Sequence, residues 1–544
     1  MGRPEAKMES ARQMPTALII GSGPGAAGAA VALTDDPTQQ VTVIDVGGTL
    51  EPPLKSVRST IASTDEASWS PLDVGRISHQ PSPIRSGALP QKRAYGSDFP
   101  FRDLGQLQGI EPVGLANPSV VSGAYGGFST VWGAQIMPFS KATFGRWPIA
   151  LAAMEPHYRF ALDEMTLAGD EDDLSELFPL MVKARRLPPL AERTQQVLDR
   201  YRARRAFVRS HAITVGRARL ALRSDECTGC GLCMTGCPYQ LIYSSAHTFD
   251  RLRSEGRVTY RPNRLAIRLE ENGGPPSVLV RNTLTNRTEH FSADRIFVAC
   301  GGIGTTRLVL GSLGLFDRPI SLQEAIQFVM PTVSMRPVSD PRRRRNFTLN
   351  QFNLLYDHTG EGVDLCQAHF YGYNPAFLDS VPGALRGTRA EPALAALVRR
   401  ASVGLGYVPG WGSPKVKVVA RRSGRGDAHL PTLDVDREPS DGWPPMLRAF
   451  VRSMVAVAPA LDLWPVLPML SVSSAANSYH FGGSFPHDRA RSAGATDRLG
   501  RLAAWDRIHL VDASVFPDVP ATTFTLTIMA NAHRIASEVL GIAT

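Results

Sequence analysis

Residues 16–45 read TALIIGSGPGAAGAAVALTDDPTQQVTVID. The apolar run 16–20 suits a buried strand, the glycine-rich turn follows at once, and the alanine-rich stretch to Leu33 suits a helix. Residues 41–45 then form a second apolar run, so the segment reads as a βαβ unit. Gly21 permits the tight turn out of the strand, and Gly23 lets backbone approach a pyrophosphate. Ala26 is small enough for the helix to pack closely on the strand. The helix N-terminus offers free N–H groups and the positive dipole end to phosphates. Asp45 lies 24 residues beyond Gly21, where a carboxylate can accept hydrogen bonds from ribose hydroxyls. A dinucleotide site is expected, and this unit alone does not separate FAD from NAD.

The chain has 544 residues, room for a nucleotide domain and a substrate domain. With 43% hydrophobic and 20% charged residues it is globular. Its net charge of +9 raises nucleic acid as a partner, with Arg342–Arg345 as the best patch. No nucleic-acid motif accompanies that patch, so it is read as solvated surface and no nucleic acid is expected. Met1–Pro15 has no apolar core of the secretory kind. The apolar stretch Met454–Ala476 is interrupted by Pro459, Asp462, Pro465 and Pro468, so no membrane span is expected. Four of the six cysteines fall within eleven residues, unlike a secreted disulfide framework, and the cytoplasm is the expected location.

Further along, 51–110 is rich in Pro, Ser and Arg and reads as surface connections with few regular elements. Residues 150–206 read as mostly helical, through Met154–Leu167 and Arg193–Ala206. Residues 258–300 alternate like a small antiparallel sheet leading into the apolar strand RIFVAC.

Three more segments narrow the reading: SGAYGGFSTVWGA at 122–134, FVACGGIGTT at 297–306, and IHLVDASVFP at 508–517 followed by TTFTLTIMANAHRIA. Together with the first turn, and with Trp147-Pro148 ahead of Glu155 and Tyr158, they resemble the glucose–methanol–choline (GMC) oxidoreductase family, in the same order along the chain. The resemblance implies an α/β fold: a Rossmann-like FAD-binding domain with a mixed-sheet substrate domain. The FAD domain would comprise 12–50, 85–145, 207–315 and 495–544, and the substrate domain 146–206 and 316–494. It implies that Gly126, Gly127, Ser129 and Thr130 bring backbone close to the flavin and its pyrophosphate. Ala299 and Gly301 would line the adenine end, and Asp512 with Ala513 the ribityl or phosphate region.

Residues 478–483 read Ser-Tyr-His480-Phe-Gly-Gly. A histidine followed by a glycine pair looks like the family's catalytic segment. A neutral imidazole can take the hydroxyl proton of an alcohol as hydride leaves the same carbon for flavin N5. Where relatives carry a second His or Asn, this chain has Thr523, which can make one hydrogen bond to a substrate hydroxyl but cannot share base duty. The resemblance implies oxidation of a small-molecule alcohol, with O2 or an external carrier as acceptor. A sugar-like alcohol is the leading expectation, including the aminoglycoside hydroxymethyl groups that some antibiotic-pathway members oxidise; sterol or polyol dehydrogenation is the alternative within the family.

Cys227, Cys230, Cys233 and Cys237, followed by Pro238, have the C-x2-C-x2-C-x3-C-P spacing of a bacterial ferredoxin run. In two-cluster ferredoxins the fourth cysteine serves the other cluster, and no second run exists here. An iron–sulfur cluster, a zinc site and a reduced structural loop within 213–245 all stay open. The rival function is a ferredoxin-like electron carrier in which these cysteines do the chemistry; a flavin-bearing binding protein without turnover is a third.

Overall fold

In the computed structural model the described residues are 14–79, 93–102, 110–112, 121–343, 346–357, 359–363, 365–374, 390–422, 430–438, 440–473, 478–490 and 492–542. Most of Met1–Pro15, Arg344 and Arg345 of the arginine patch, and 474–476 of the apolar stretch lie outside them. Arg342 is ion-paired with Asp340 at 2.6 Å and Glu391 at 2.8 Å, its side chain only 21% exposed, so this arginine is part-buried rather than freely solvated.

Strands β1 (Thr16–Ile20), β2 (Gln40–Ile44), β3 (Val258–Arg261), β4 (Arg295–Val298) and β5 (Ile508–Leu510) form one parallel sheet in the order β5-β4-β1-β2-β3. β1 is central, with Ile20 opposite both Ile44 and Val298. A central parallel strand is covered on both faces, so its sequence is a continuous apolar run without alternation. Helix α1 (Pro24–Thr34) follows the glycine turn with Pro24 in its first turn, where a missing N–H costs nothing.

At its glycines helix α1 comes closest to backbone. A Cβ on Gly25 would strike the carbonyl oxygen of Val511, just past β5. One on Gly28 would strike that of Met529 in the C-terminal helix α2 (Thr525–Leu540). The expected close packing is therefore made by Gly25 and Gly28, while Ala26 is simply buried in the core.

The second large sheet is antiparallel. Its order is Trp464–Pro465, Ile326–Val333, Ala401–Val408, Leu365–Tyr371, Asn350–Asp357 and Ile213–Arg217, with Ser471–Val472 pairing on Ile326–Val333. One face, with Phe328, Met330, Phe352, Ala368 and Phe370, packs on Phe450, Met454 and Val457 of helix Trp443–Leu461. Side chains alternate along a strand, so the opposite face looks toward the parallel sheet. A five-stranded sheet beside it is antiparallel apart from the short strand Ile110–Pro112, which pairs parallel to Thr432–Glu438. Among the described residues no helix is long and apolar enough to cross a membrane.

Two expectations are corrected. Residues 51–110 contain helices Pro52–Ser63 and Pro71–Ser78. Their prolines stand at the helix starts, where proline initiates rather than breaks, and Ile61, Trp69 and Ile77 pack toward Cys230, Leu232 and Tyr239. The sequence VTYR at 258–261 is the edge of the parallel sheet; only Arg264–Glu270, Ser277–Asn282 and Thr288–Ser292 form the small antiparallel sheet.

Helix Leu151–Glu164 joins α2 through a buried imidazole pair, His157 Nδ1 to His533 Nδ1 at 2.8 Å. Burial pushes His157 down to about 3, helped by the adjacent His533, and burial pushes His533 down to about 4. The unfolded chain binds these protons near pH 6.5 and the folded chain does not. The stability they contribute is complete above about 6.5 and is lost as pH falls toward 4. Thermal midpoints measured from pH 8 to 4.5 should drop below pH 6.5, and His157→Gln should lower the midpoint at pH 8 while reducing that drop. A midpoint independent of pH over this range would refute the coupling.

Candidate active site

A cavity of about 2480 Å³ opens at the C-terminal ends of β1, β2, β4 and β5 and runs to the polar face of the antiparallel sheet. In open parallel sheets ligands bind in the crevice outside the carboxyl ends of the strands.

Gly21 donates its N–H to Ile44 O at 2.8 Å and has φ +104°; a Cβ there would lie 2.5 Å from Ala299 O. Gly23 is different. Its backbone is extended, and a Cβ would meet nothing within 4 Å. A Cβ at Gly301 would likewise meet nothing within 4 Å, although its φ of +79° itself favours glycine. Both line the cavity, so the space a side chain would take is open to a ligand's approach.

One hydrogen-bond chain ties the first turn to the second glycine cluster. Gly126 N–H donates to Ser22 Oγ at 2.9 Å, and the Ser22 hydroxyl donates to Asp45. Tyr260 OH also donates to Asp45, at 3.1 Å. Burial holds the Asp45 carboxyl up at about 6, against the lowering effect of these donors. Gly127 follows with φ +57°, and its Cβ would approach Gly23 Cα at 3.2 Å.

Asp45, Gly127, Ser129, Ala299, Asp512 and Ala513 line the cavity with the three glycines. Ala26, Gly126 and Thr130 are not on its wall. The Ser129 and Thr130 hydroxyls donate to Gly126 O at 2.5 Å and Gly127 O at 2.8 Å, so both brace the loop. Asp512 accepts from Gly301 N–H at 2.8 Å, Thr305 Oγ1 at 2.5 Å and Ser514 N–H at 2.9 Å. It pins the start of helix Gly302–Ser312 against β5, and burial raises its carboxyl.

At the far end of the cavity His480 stacks on Tyr407, with ring centroids 4.3 Å apart, and meets the edge of Phe524 at 4.9 Å. Its Nδ1 is buried without a partner, which leaves Nε2 as the nitrogen facing the cavity. Burial pushes the imidazole down to about 3, so it is neutral at physiological pH. Thr523 donates to Gln135 O at 2.9 Å; its neighbour Phe524, not Thr523, lines the cavity. The sequence reading missed Tyr407 and Gln327, whose Nε2 donates to Tyr407 OH at 3.1 Å. The available signal was slight: a single glutamine, Gln327, in the otherwise apolar run IQFVMP.

The cysteine loop is wound by Gly229, Gly231 and Gly236, all with positive φ. Cys227 and Cys230 lie on the cavity wall, while Cys233 and Cys237 are buried. Burial raises the Cys227 thiol, Cys230 to about 12 and Cys237 to about 11. Among the described residues no three Cys, His, Asp or Glu side chains gather closely enough to hold a metal ion. The donor chemistry is that of an iron–sulfur site; the thiol arrangement is not that of a formed coordination sphere.

Comparison with known proteins gives two findings. The 4Fe-4S binding domain family matches residues 222–243. Among solved structures, pyridoxine 4-oxidase from Mesorbium loti superposes with a TM-score of 0.60 at 14% identity, covering 97% of this chain and 100% of that one. No curated protein matches the chain. The chain thus has the α/β fold of that oxidase, a parallel sheet together with antiparallel sheets.

The two kinds of glycine separate by substitution. Gly25→Ala should lower the thermal midpoint of ligand-free protein, since overpacking against fixed backbone costs roughly 1–3 kcal/mol. Gly23→Ala should leave the midpoint within a degree or two. Equal effects at the two positions would contradict the packing described.

Proposed function

We propose that this protein is an FAD-dependent oxidoreductase that oxidises the CH–OH group of a small alcohol, with His480 as general base. The observation carrying this reading is that one cavity joins a glycine cradle open at Gly23 and Gly301 to a neutral imidazole facing inward. The likeness to pyridoxine 4-oxidase is in keeping with it.

The residues fit a dinucleotide. Gly23 leaves room for a pyrophosphate at the uncapped N-terminus of α1, with Gly127 packed directly against it; Asp45 would face the ribose, and Asp512 would hold the opposite wall. Bound FAD would supply the hydride acceptor. His480 takes the hydroxyl proton at Nε2; Tyr407 and Phe524 fix the ring plane and exclude water. Thr523 spends its one proton on Gln135 O and acts as a strut. The assignment of 12–50, 85–145, 207–315 and 495–544 to cofactor binding, and of 146–206 and 316–494 to substrate, belongs to this proposal. A sugar-like alcohol is favoured by Tyr407, stacked on His480, and by Gln327 hydrogen-bonded to it, which give this part of the cavity polar groups.

We also propose that Cys227, Cys230, Cys233 and Cys237 ligate a 4Fe–4S cluster, supported by their spacing and the family match at 222–243. Anaerobically purified protein should contain iron and acid-labile sulfide, and Cys230→Ser should remove both while FAD stays bound. Protein with full flavin and neither iron nor sulfide would leave a structural loop.

Gly23→Val should give folded, colourless protein; a yellow variant with full flavin would place the site elsewhere. His480→Ala should keep FAD and lose at least about 10²-fold in the rate of flavin reduction. The measurement is stopped-flow bleaching of oxidised flavin with glucose, sorbitol, glucosamine and pyridoxine. Wild-type rates in that variant would remove His480 as the base.

A further inference from the structure

Strand Leu365–Tyr371 reads LCQAHFY. Cys366, Ala368 and Phe370 enter the hydrophobic layer on helix Trp443–Leu461, so Gln367, His369 and Tyr371 point to the cavity side. Tyr371 lines the cavity, and Gln367 and His369 lie behind the wall, 0% and 2% exposed. Tyr407 packs on both imidazoles, its ring 4.3 Å from His480 and 5.7 Å from His369.

The polar atoms of this layer are unusual. His369 Nε2, His480 Nδ1, Gln367 Oε1, Asn350 Oδ1 and Gln135 Nε2 are all buried without a hydrogen-bond partner. The amides nevertheless form a connected group: Asn350 Nδ2 donates to Gln135 Oε1 and Asn353 Oδ1 at 2.8 Å, and Gln367 Nε2 to Asn353 Oδ1 at 3.2 Å. Core histidines elsewhere in the chain are anchored, His487 Nδ1 on Asp497 O at 2.7 Å and His509 Nδ1 on Leu499 O at 2.9 Å. Among the described residues no hydrogen bond anchors the ring of His369. Buried polar groups left without protein partners are where proteins bind internal water.

We infer that His369 is a second imidazole of the reaction centre, accepting through a water the proton that His480 takes from the alcohol. The inference rests on the reading of the cavity as an alcohol-oxidising site. The alcohol O–H bond breaks and its proton goes to His480 Nε2. The C–H hydride leaves to the flavin oxidant, and C–O becomes C=O. His480 then releases its Nδ1 proton by way of the water to His369 Nε2; when the electrons leave, the proton returns by the same route to His480 and passes from Nε2 to the reduced acceptor or to water in the cavity. The chain thus replaces the second base missing at Thr523 with one from the sheet. Burial keeps His369 neutral, and a charge on His480 would hold it lower still, so the proton rests on one of the two rings at a time.

The test uses the full-length, flavin-loaded protein with whichever of glucose, sorbitol, glucosamine and pyridoxine bleaches it fastest. His369→Gln fills the volume and keeps a hydrogen-bonding end but cannot carry a proton. It should slow flavin reduction roughly 10-fold, leave KM within about twofold, and raise the solvent deuterium isotope effect. In His369→Ala, added imidazole should restore part of the rate. A wild-type rate and isotope effect in His369→Gln would overturn the inference, and so would a slow His369→Ala that imidazole does not restore while Gln does. If His369→Ala fails to fold, His369→Gln alone decides. Wild-type protein that none of the four alcohols bleaches would overturn the parent reading; wild type that bleaches and depends on His480 but not His369 overturns this one alone.

Discussion

The structure hangs on a backbone-to-backbone approach. Helix α1 is held between Val511 and Met529 at distances that only hydrogen on Cα allows. Because Val511 follows β5 and Met529 lies in α2, the contact closes residues from both ends of the chain onto β1. Side chains at Gly25 and Gly28 would push α1 off the sheet, and the C-terminal ends of the strands would no longer converge on one cavity. Dispersion and burial of apolar area at such a contact are dense because no side-chain freedom is frozen to make it. The same economy leaves Gly23, two residues earlier, free of packing duty.

That division shows which parts of the sequence were legible. A glycine forced by packing and a glycine kept open for a ligand look the same in a string of letters; GSGPGAAG contains both. The strand–turn–helix–strand unit was readable because a central parallel strand must be apolar throughout and a turn must break before the helix. The role of Ala26 was misplaced by one position on one side and two on the other, since close approach is a property of α2 and β5, hundreds of residues away. Helices Pro52–Ser63 and Pro71–Ser78 were hidden by composition: four residues at their starts, Pro52, Pro53, Ser70 and Pro71, look like loop and act as caps and first-turn residues.

The antiparallel sheet poses the opposite problem. Its helix-side face is a conventional apolar layer, but the cavity-side face buries Gln327, Asn350, Asn353, Gln367 and His369. Amide and imidazole groups are costly to bury unless hydrogen bonds replace water, and here the replacement is incomplete. Polar residues at alternate positions of LCQAHFY read, by pattern alone, as a solvent-exposed edge. Gln367 and His369 are instead buried and Tyr371 faces the cavity, which is legible only once the parallel sheet is seen standing opposite.

Placement also decides what each histidine can do. His157, His487, His509 and His533 are buried with depressed imidazoles, and half-buried His480 on the cavity wall is depressed as well, so a depressed imidazole does not by itself mark a base. What sets His480 apart is that its ring is held by faces rather than by hydrogen bonds: Tyr407 on one side, Phe524 on an edge. Aromatic contacts fix the plane while leaving both nitrogens uncommitted. A ring anchored through Nδ1 to a carbonyl, as in His487, could still accept a proton at Nε2 but would have no second route for it. A ring clamped by carbon can take a proton on one side and release it on the other, and that property comes from the sheet beneath His480 rather than from the glycine pair beside it.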